Sequence, residues 1–192
     1  IDALITMCRE LFPKRVLEMG GGIGALSYTI LKHSVAFVDI YEDNEYCIGE
    51  LRKNLKEFEG RFQIIETYRL LPPERTYDIA VIDGGTGAVK DGGYPLAARL
   101  FLVYLEDIRA VYIEGYRGLQ RDLARRALSE RFRVRFKIYK EIRVQGQKWP
   151  GGLRIDCIKT SSVFLRRLDY LFWEMVVRMR RIVGLLRGWF WR

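Results

Sequence analysis

The sequence is poor in the residues on which several common kinds of catalytic site depend. It contains one histidine, His33, and three cysteines that lie far apart, Cys8, Cys47 and Cys157. A zinc site needs several His or Cys ligands, and a Ser-His-Asp or Cys-His enzyme needs a histidine beside its nucleophile. We therefore expect no metal site and no hydrolase of these types. We also expect reduced cysteines, as in a cytoplasmic protein.

Long apolar segments are also missing. No uncharged apolar run approaches the ~20 residues that span a bilayer, and no segment has the pattern of a signal peptide. The content of hydrophobic residues is nevertheless 49%, with 13% aromatic residues, which is typical of a folded chain. We expect a cytoplasmic protein, and peripheral association with a membrane stays open.

Positive charge is concentrated in the second half of the chain. Residues 1–96 carry 11 Lys and Arg against 15 Asp and Glu, whereas residues 97–192 carry 22 against 9. This asymmetry suggests an anionic partner, either a membrane surface or a nucleic acid. The period-two run RFRVRFKIYKEIRV, at 131–144, instead favours an edge strand whose basic residues face solvent and hinder edge pairing.

Hydrophobic periodicity alternates between short strand-like runs and longer helical ones. The predicted strands are 15–19, 35–40, 62–66, 77–83 and 110–114, and the predicted helices are 23–32, 44–58, 94–105 and 119–129. Two later runs, 131–144 and 153–159, flank a turn signal and predict an antiparallel hairpin. We therefore predict an α/β domain over residues 1–160, with a doubly wound, mostly parallel sheet that ends in this β-hairpin.

A glycine-rich loop follows the first predicted strand, in the segment VLEMGGGIGALS. Gly20, Gly22 and Ala25 fit the G-x-G-x-x-G/A pattern of loops that bind dinucleotides, and S-adenosylmethionine sites share this pattern. Glu18 favours S-adenosylmethionine. A carboxylate there would repel an anionic pyrophosphate, and it would attract a ligand that carries ammonium and sulfonium groups.

Acidic residues lie at or near the ends of four successive predicted strands: Glu18, Asp39, Glu66 and Asp83. Open α/β sheets bind ligands in a crevice at the carboxyl ends of their strands. We therefore expect the four carboxylates to line one crevice, and we place Asp39 at the end of the second strand, where it would bind ribose hydroxyls.

Four segments, PKRVLEMGGGIGALS, VDIYEDN, QIIET and YDIAVIDGG, resemble the class I S-adenosylmethionine-dependent methyltransferases. The resemblance covers residues 10–160 and implies that fold, including its terminal hairpin. The cofactor-binding residues that it implies are Glu18, Gly20, Gly22 and Gly24 at the methionine part, Asp39 at the ribose, Glu66 near the adenine and Asp83 where cofactor meets substrate.

The segment PKRVLEMGGGIGALSYTILKH also resembles aminopropyltransferases of the spermidine synthase type. Those enzymes carry an acidic, serine-rich stretch after the fourth strand, which IDGGTGAVKDGG lacks. Aminopropyl transfer from decarboxylated S-adenosylmethionine is therefore an alternative function. A non-catalytic adaptor with a methyltransferase fold is another, since no residue is unmistakably catalytic.

The segment VIDGG resembles small-molecule O-methyltransferases that have aspartate at this position. Some of these bind a divalent metal through that aspartate and an Asp-Asn pair after the fifth strand, where this chain has Glu114 and Gly115. We therefore predict no metal, with Asp83 and Glu114 as the catalytic candidates, for a general base or for substrate positioning. The predicted activity is methyl transfer to a small or membrane-associated acceptor, at oxygen rather than at a nucleic-acid base.

Residues 161–192 form a separate unit with a helical pattern. Apolar residues at helical spacing form one stripe, and arginines fall on the opposite side. The stripe comprises Phe164, Leu168, Leu171, Phe172, Met175, Met179, Ile182, Val183, Leu186 and Phe190. Such a basic amphipathic helix is typical of membrane interfaces. Three roles for residues 162–192 stay open: binding an anionic membrane surface, forming a homo-oligomer or partner contact, and packing on the chain's own domain.

Overall fold

The computed structural model describes residues 1–83, 105–115, 117–139, 142–144, 147–149 and 151–189. The strands in these residues are β1 (Arg15–Met19), β2 (Phe37–Tyr41), β3 (Phe62–Ile65), β4 (Thr76–Ile82), β5 (Asp107–Ile113), β6 (Phe132–Ile138), β7 (Ile142–Val144), β8 (Gln147–Trp149) and β9 (Leu153–Lys159). The helices are α1 (Asp2–Leu11), α2 (Ala25–His33), α3 (Glu45–Asn54), α4 (Gly118–Ser129) and α5 (Val163–Trp189), with a 3₁₀ turn at Lys56–Phe58.

Seven of the described strands form one sheet in the order β3-β2-β1-β4-β5-β9-β6. The first five are parallel to their neighbours. Strand β9 lies between β5 and β6 and runs antiparallel to both, so the chain's final hairpin closes one side of the sheet. The predicted mostly parallel α/β sheet with a terminal antiparallel hairpin is confirmed, and β6 is its edge strand.

Several element boundaries differ from the prediction. The predicted helix 44–58 is divided at the fully buried Leu55 into α3 and the 3₁₀ turn. Helix α1 was not predicted; its buried Leu4 and Met7 belong to the same apolar cluster as residues of α2. The turn predicted after 144 contains the short strand β8, paired with β7. The predicted helix 94–105 lies outside the described residues except for Leu105.

Alternate residues of each strand face opposite sides of the sheet and contribute to two different apolar cores. In β1, Leu17 and Met19 belong to one core, together with residues of α4 and β6. Val16 belongs to the other, together with residues of α1, α2 and α3. Glu18 therefore lies on the side of the sheet that α2 covers, and this alternation decides which polar residues can meet.

Asp39 lies in the middle of β2 and not at its end, which corrects the predicted position. Its carboxylate is fully buried on the side of the sheet opposite to Glu18. It accepts hydrogen bonds from Arg15 Nε at 3.0 Å, Gln63 Nε2 at 2.5 Å and the Tyr77 hydroxyl at 2.8 Å. The three donors tie β1, β3 and β4 to β2, so Asp39 has a structural role in the sheet.

Replacing Asp39 with alanine is expected to lower the free energy of unfolding by about 3 kcal/mol, because it leaves the buried Tyr77 hydroxyl and the partly buried Arg15 and Gln63 donors without their shared acceptor. Urea denaturation followed by circular dichroism measures this change. The matched control is Asp43→Ala, at an exposed position just after β2, for which we expect a change within about 0.5 kcal/mol. Equal effects of the two substitutions would contradict the structural role of Asp39.

Candidate cofactor and acceptor site

The glycine loop between β1 and α2 lies tightly against β2. The amides of Gly20 and Gly21 both donate to the carbonyl oxygen of Tyr41, each at 3.0 Å. A Cβ atom on Gly21 would lie 2.4 Å from Ile40 Cγ2, so no larger residue fits unless the Ile40 side chain shifts. Gly24 caps α2 with a φ of 99°, a conformation that glycine adopts without strain. The loop is thus shaped by close approach of main chains, as in loops that bind small ligands.

Glu18 is fully buried and is the next-to-last residue of β1, two positions before the first glycine of this loop. Its Oε2 accepts a hydrogen bond from Ser27 of α2, while Oε1 is buried with no hydrogen-bond partner. Burial raises the pKa of Glu18 to about 8; the charges of Asp83 and Glu42 raise it further and the Ser27 hydrogen bond opposes the shift. A buried, unpaired carboxylate oxygen is unfavourable unless a donor reaches it.

Glu42 is the acidic residue that the structure brings to the loop from β2. It follows the strand directly and is buried. Its Oε2 accepts from the amide of Gly22 at 2.7 Å, and its Oε1 accepts from the amides of Asp43 and Asn44 at 3.0 and 2.9 Å. Glu42 therefore connects the glycine loop to the turn before α3.

Asp83 directly follows β4, the strand next to β1. Its amide donates to the carbonyl oxygen of Met19 at 2.9 Å, which fixes it beside the end of β1. Burial raises the pKa of Asp83 above its ordinary value, and the charge and hydrogen bond of Arg117 oppose this shift. Arg117 contacts Asp83 Oδ1 at 3.1 Å and also donates to the main-chain oxygen of Asp83.

Glu114 lies at the end of β5, and its amide donates to Ile82 of β4 at 2.9 Å. Glu114 Oε2 accepts from the Tyr112 hydroxyl at 2.5 Å. Arg117 Nε donates to the main-chain oxygen of Glu114 at 3.0 Å, so this arginine connects the ends of β4 and β5. Burial raises the pKa of Tyr112 well above its ordinary value, and its hydrogen bond to Glu114 adds to the shift.

The structure thus groups some of the predicted site residues and separates others. Glu18, Asp83 and Glu114 follow one another across β1, β4 and β5 at the same end of the sheet. The charge of Glu114 contributes to raising the pKa of Asp83, and the charge of Asp83 contributes to raising the pKa of Glu18. Asp39 lies on the opposite side of the sheet. Glu66, after β3, is exposed and forms an ion pair with Arg52 of α3 at 2.5 Å.

Two residues of the site were missed by the sequence analysis. Asp39 was chosen instead of Glu42, although strand alternation indicates Glu42. Glu42 lies two positions after Ile40 and therefore faces the same side of the sheet, which α2 covers. Arg117 directly precedes α4, and only the tertiary structure shows that it reaches both Asp83 and Glu114. Among the residues that the structure describes, no three His, Cys, Asp or Glu side chains form a cluster suited to a metal ion.

Comparison with solved structures identifies the fold. The chain is similar to a candidate O-methyltransferase from Klebsiella pneumoniae, with 15% identity, a TM-score of 0.63, and coverage of 81% of this chain and 78% of the other. It is also similar to the O-methyltransferase TomG from Streptomyces achromogenes, in complex with SAM, with 13% identity, a TM-score of 0.60 and coverage of 81% and 78%. For the 23S rRNA methyltransferase ErmE, the identity is 13%, the TM-score 0.56 and the coverage 88% and 73%.

The sequence matches no protein-family model and no curated protein sequence. The structural similarity nevertheless agrees with the resemblance that the glycine loop and the strand-end acids indicated. The chain has the fold of the class I S-adenosylmethionine-dependent methyltransferases.

The pKa of Glu18 predicts how stability depends on pH. Between pH 4.5 and about 8, folded Glu18 keeps its proton while the unfolded chain loses it, so the unfolded state binds fewer protons. Stability therefore falls as pH rises through this window, by about 1.4 kcal/mol per pH unit for one proton. Glu18→Gln removes this contribution. Urea denaturation at pH 6 and pH 8 is therefore expected to show a smaller fall in the free energy of unfolding for this variant than for the wild type. Parallel changes in both proteins would mean that Glu18 is already ionised at pH 6.

Proposed function

We propose that this protein is an S-adenosylmethionine-dependent methyltransferase that acts on a small or membrane-associated acceptor, at an oxygen atom. The observation that carries the proposal is Glu18, a buried carboxylate with an unpartnered oxygen beside a glycine loop. A dinucleotide would bring to this position an anionic pyrophosphate, which has no hydrogen to donate to the unpartnered oxygen and would oppose the ionisation of Glu18. A ligand with an ammonium group supplies a hydrogen-bond donor for the unpartnered oxygen of Glu18 and a positive charge that stabilises the ionised carboxylate.

The other cofactor contacts follow from the arrangement of the loop. Gly20, Gly22 and Gly24 have positive φ values and line the approach to α2, whose first turn has no side-chain cap. For the ribose we propose Glu42 in place of Asp39, because Glu42 lies at the end of β2 and contacts the loop. Glu66, after β3, keeps its proposed place near the adenine.

When bound, the cofactor supplies an electrophilic methyl group on a sulfonium. The protein's own residues then have to orient the acceptor and receive its proton. We assign the proton to Glu114, whose carboxylate is oriented by the Tyr112 hydroxyl. Asp83 is held by Arg117 in an ion pair, which suits it to positioning the acceptor rather than to removing a proton.

The acceptor class is supported by the neighbours in fold and by the charge of the chain. The solved structures include O-methyltransferases, and they also include an rRNA methyltransferase. Arg135 and Lys137 of β6 are exposed and alternate with buried residues, as expected of an edge strand, while Arg133 pairs with Asp169 of α5. We therefore propose a small-molecule or lipid-associated acceptor and a cytoplasmic location. For residues 162–192, the proposed occupants are an anionic membrane surface or a second copy of the chain.

Isothermal titration of S-adenosylmethionine and S-adenosylhomocysteine into the protein tests the cofactor assignment. We expect micromolar binding of both ligands, and we expect Glu18→Ala and Glu42→Gln each to weaken it by about tenfold or more, since each removes a charged hydrogen-bond acceptor. The matched control is Glu57→Gln, an exposed glutamate outside the site, with no change expected.

The absence of heat with either ligand, in a folded protein, would contradict the cofactor assignment and favour a non-catalytic adaptor. Binding of decarboxylated S-adenosylmethionine alone would favour aminopropyl transfer instead. Either result overturns the proposed methyltransferase activity.

Incubation with methyl-labelled S-adenosylmethionine and either an aqueous metabolite extract or a lipid extract tests the acceptor class. We expect labelled product from one of these extracts and none from RNA. Glu114→Gln is expected to lower product formation by about 100-fold while cofactor affinity stays unchanged, because a general base acts only in the chemical step. An equal loss of cofactor affinity would contradict this role of Glu114.

A further inference from the structure

Helix α5 is attached to the domain by one of its faces. The Trp173 ring meets Phe136 of β6 edge to face, with 5.5 Å between centroids. Asp169 accepts from Arg133 Nε at 2.6 Å, and Glu174 forms an ion pair with Arg125 of α4 at 3.1 Å. Packing on the chain's own domain, one of the three roles that the sequence left open, therefore accounts for one side of the helix only.

The opposite side of α5 is apolar and exposed. We call it the exposed stripe; its members are each more than half exposed and comprise Phe164, Leu168, Leu171, Phe172, Met175 and Met179. Their spacing of three and four residues places them along one line of the helix. Within the described part of the chain, no helix combines the length and the apolar character needed to cross a membrane. The exposed stripe is thus suited to a surface contact.

The charges around the exposed stripe are of one sign. Residues 161–192 contain seven arginines and only two acidic residues, Asp169 and Glu174. Both acids form ion pairs with the domain, so the negative charges of the helix face the domain. Arg167 and Arg178 are exposed, and the helical spacing places them along one border of the stripe. The outward surface of the described helix therefore combines apolar side chains with positive charge.

This charge pattern disfavours a second copy of the chain as the occupant. Helices that pair along an apolar stripe are usually stabilised by opposite charges at its borders. In a symmetric pair of α5 helices, Arg167 and Arg178 would meet only further arginines, because Asp169 and Glu174 are already engaged with the domain. An anionic surface supplies the missing negative charge along the whole border.

Helix α5 also extends towards the end of the sheet that carries the site. The pairs Asp169–Arg133 and Trp173–Phe136 show that α5 and β6 advance in the same direction. Strand β6 runs in the direction of β5, since both are antiparallel to β9. From Trp173 the helix continues to Trp189, a length of about 24 Å, whereas β6 ends two residues after Phe136. The helix therefore continues past the end of the sheet at which β4 and β5 end.

We propose that α5 binds an anionic lipid membrane, with the exposed stripe inserted among the lipids and its arginines at the headgroups. Such binding is typical of helices that lie in a membrane interface. This binding would place the candidate site, at the ends of β1, β4 and β5, next to the membrane. The lipid contact rests on α5 alone, and only its use for delivering an acceptor depends on the proposed methyltransferase function.

Co-sedimentation of the full chain with phosphatidylcholine vesicles, with and without phosphatidylglycerol, tests this binding. We expect binding to the anionic vesicles that weakens at high salt, and little binding to neutral ones. The variant Leu168→Gln/Leu171→Gln/Met175→Gln is expected to bind at least about tenfold more weakly, and Arg167→Glu/Arg178→Glu about tenfold more weakly.

Two matched controls distinguish the stripe from general hydrophobicity and charge. Val35→Gln/Leu70→Gln/Leu71→Gln removes exposed apolar residues elsewhere, and Lys14→Glu/Lys56→Glu reverses two exposed lysines elsewhere. Both are expected to bind vesicles like the wild type, and thermal unfolding verifies that all variants are folded.

Equal losses in the stripe and control variants, or no vesicle binding by the wild type, would overturn the proposal. Sedimentation equilibrium adds a further discriminating result. A dimer that the stripe substitutions dissociate, without vesicle binding, would identify a second copy as the occupant. Because these measurements use neither cofactor nor acceptor, they can fail while the methyltransferase proposal holds, and the reverse is also true.

Discussion

The parallel pairing of β1 with β2 on one side and β4 on the other is the constraint on which the site depends. It brings the ends of three strands to the same end of the sheet, where Glu18 is the next-to-last residue of β1 and Glu42 and Asp83 directly follow β2 and β4. The same pairing fixes which side of the sheet each side chain faces. Glu18 faces the side that α2 covers, and Asp39 faces the other, so two acids that look alike in the sequence have different surroundings.

The two buried carboxylates illustrate how the surroundings decide a role. Asp39 has its donors supplied by Arg15, Gln63 and Tyr77, and it joins neighbouring strands. Glu18 has donors from Ser27 but one oxygen without a partner, and its raised pKa reflects the cost of its burial. A buried acid with its donors in place stabilises a fold, whereas one that lacks them is suited to a ligand that brings its own.

The insertion of β9 between β5 and β6 has consequences beyond the sheet. It leaves β6 as the edge strand, and α5 covers part of that edge through Trp173 and two ion pairs. If α5 packed on the domain through its apolar stripe, the stripe would be buried. Here the contacts use an aromatic ring and both acids of the helix, so the apolar side chains remain outside.

The sequence by itself determined the order and type of most elements and the position of the glycine loop. Periodicity and turn residues are local signals, and they located β1 and β9 to the residue. Glu18 was found for the same reason, since it lies two positions before the first glycine of the loop. Only the tertiary structure showed that Asp39 has its donors supplied from β1, β3 and β4 while Glu42 contacts the glycine loop, because these contacts join residues distant in the chain. The contacts of Arg117 and the outward orientation of α5 also arise from residues distant in the chain, and no local pattern contains them.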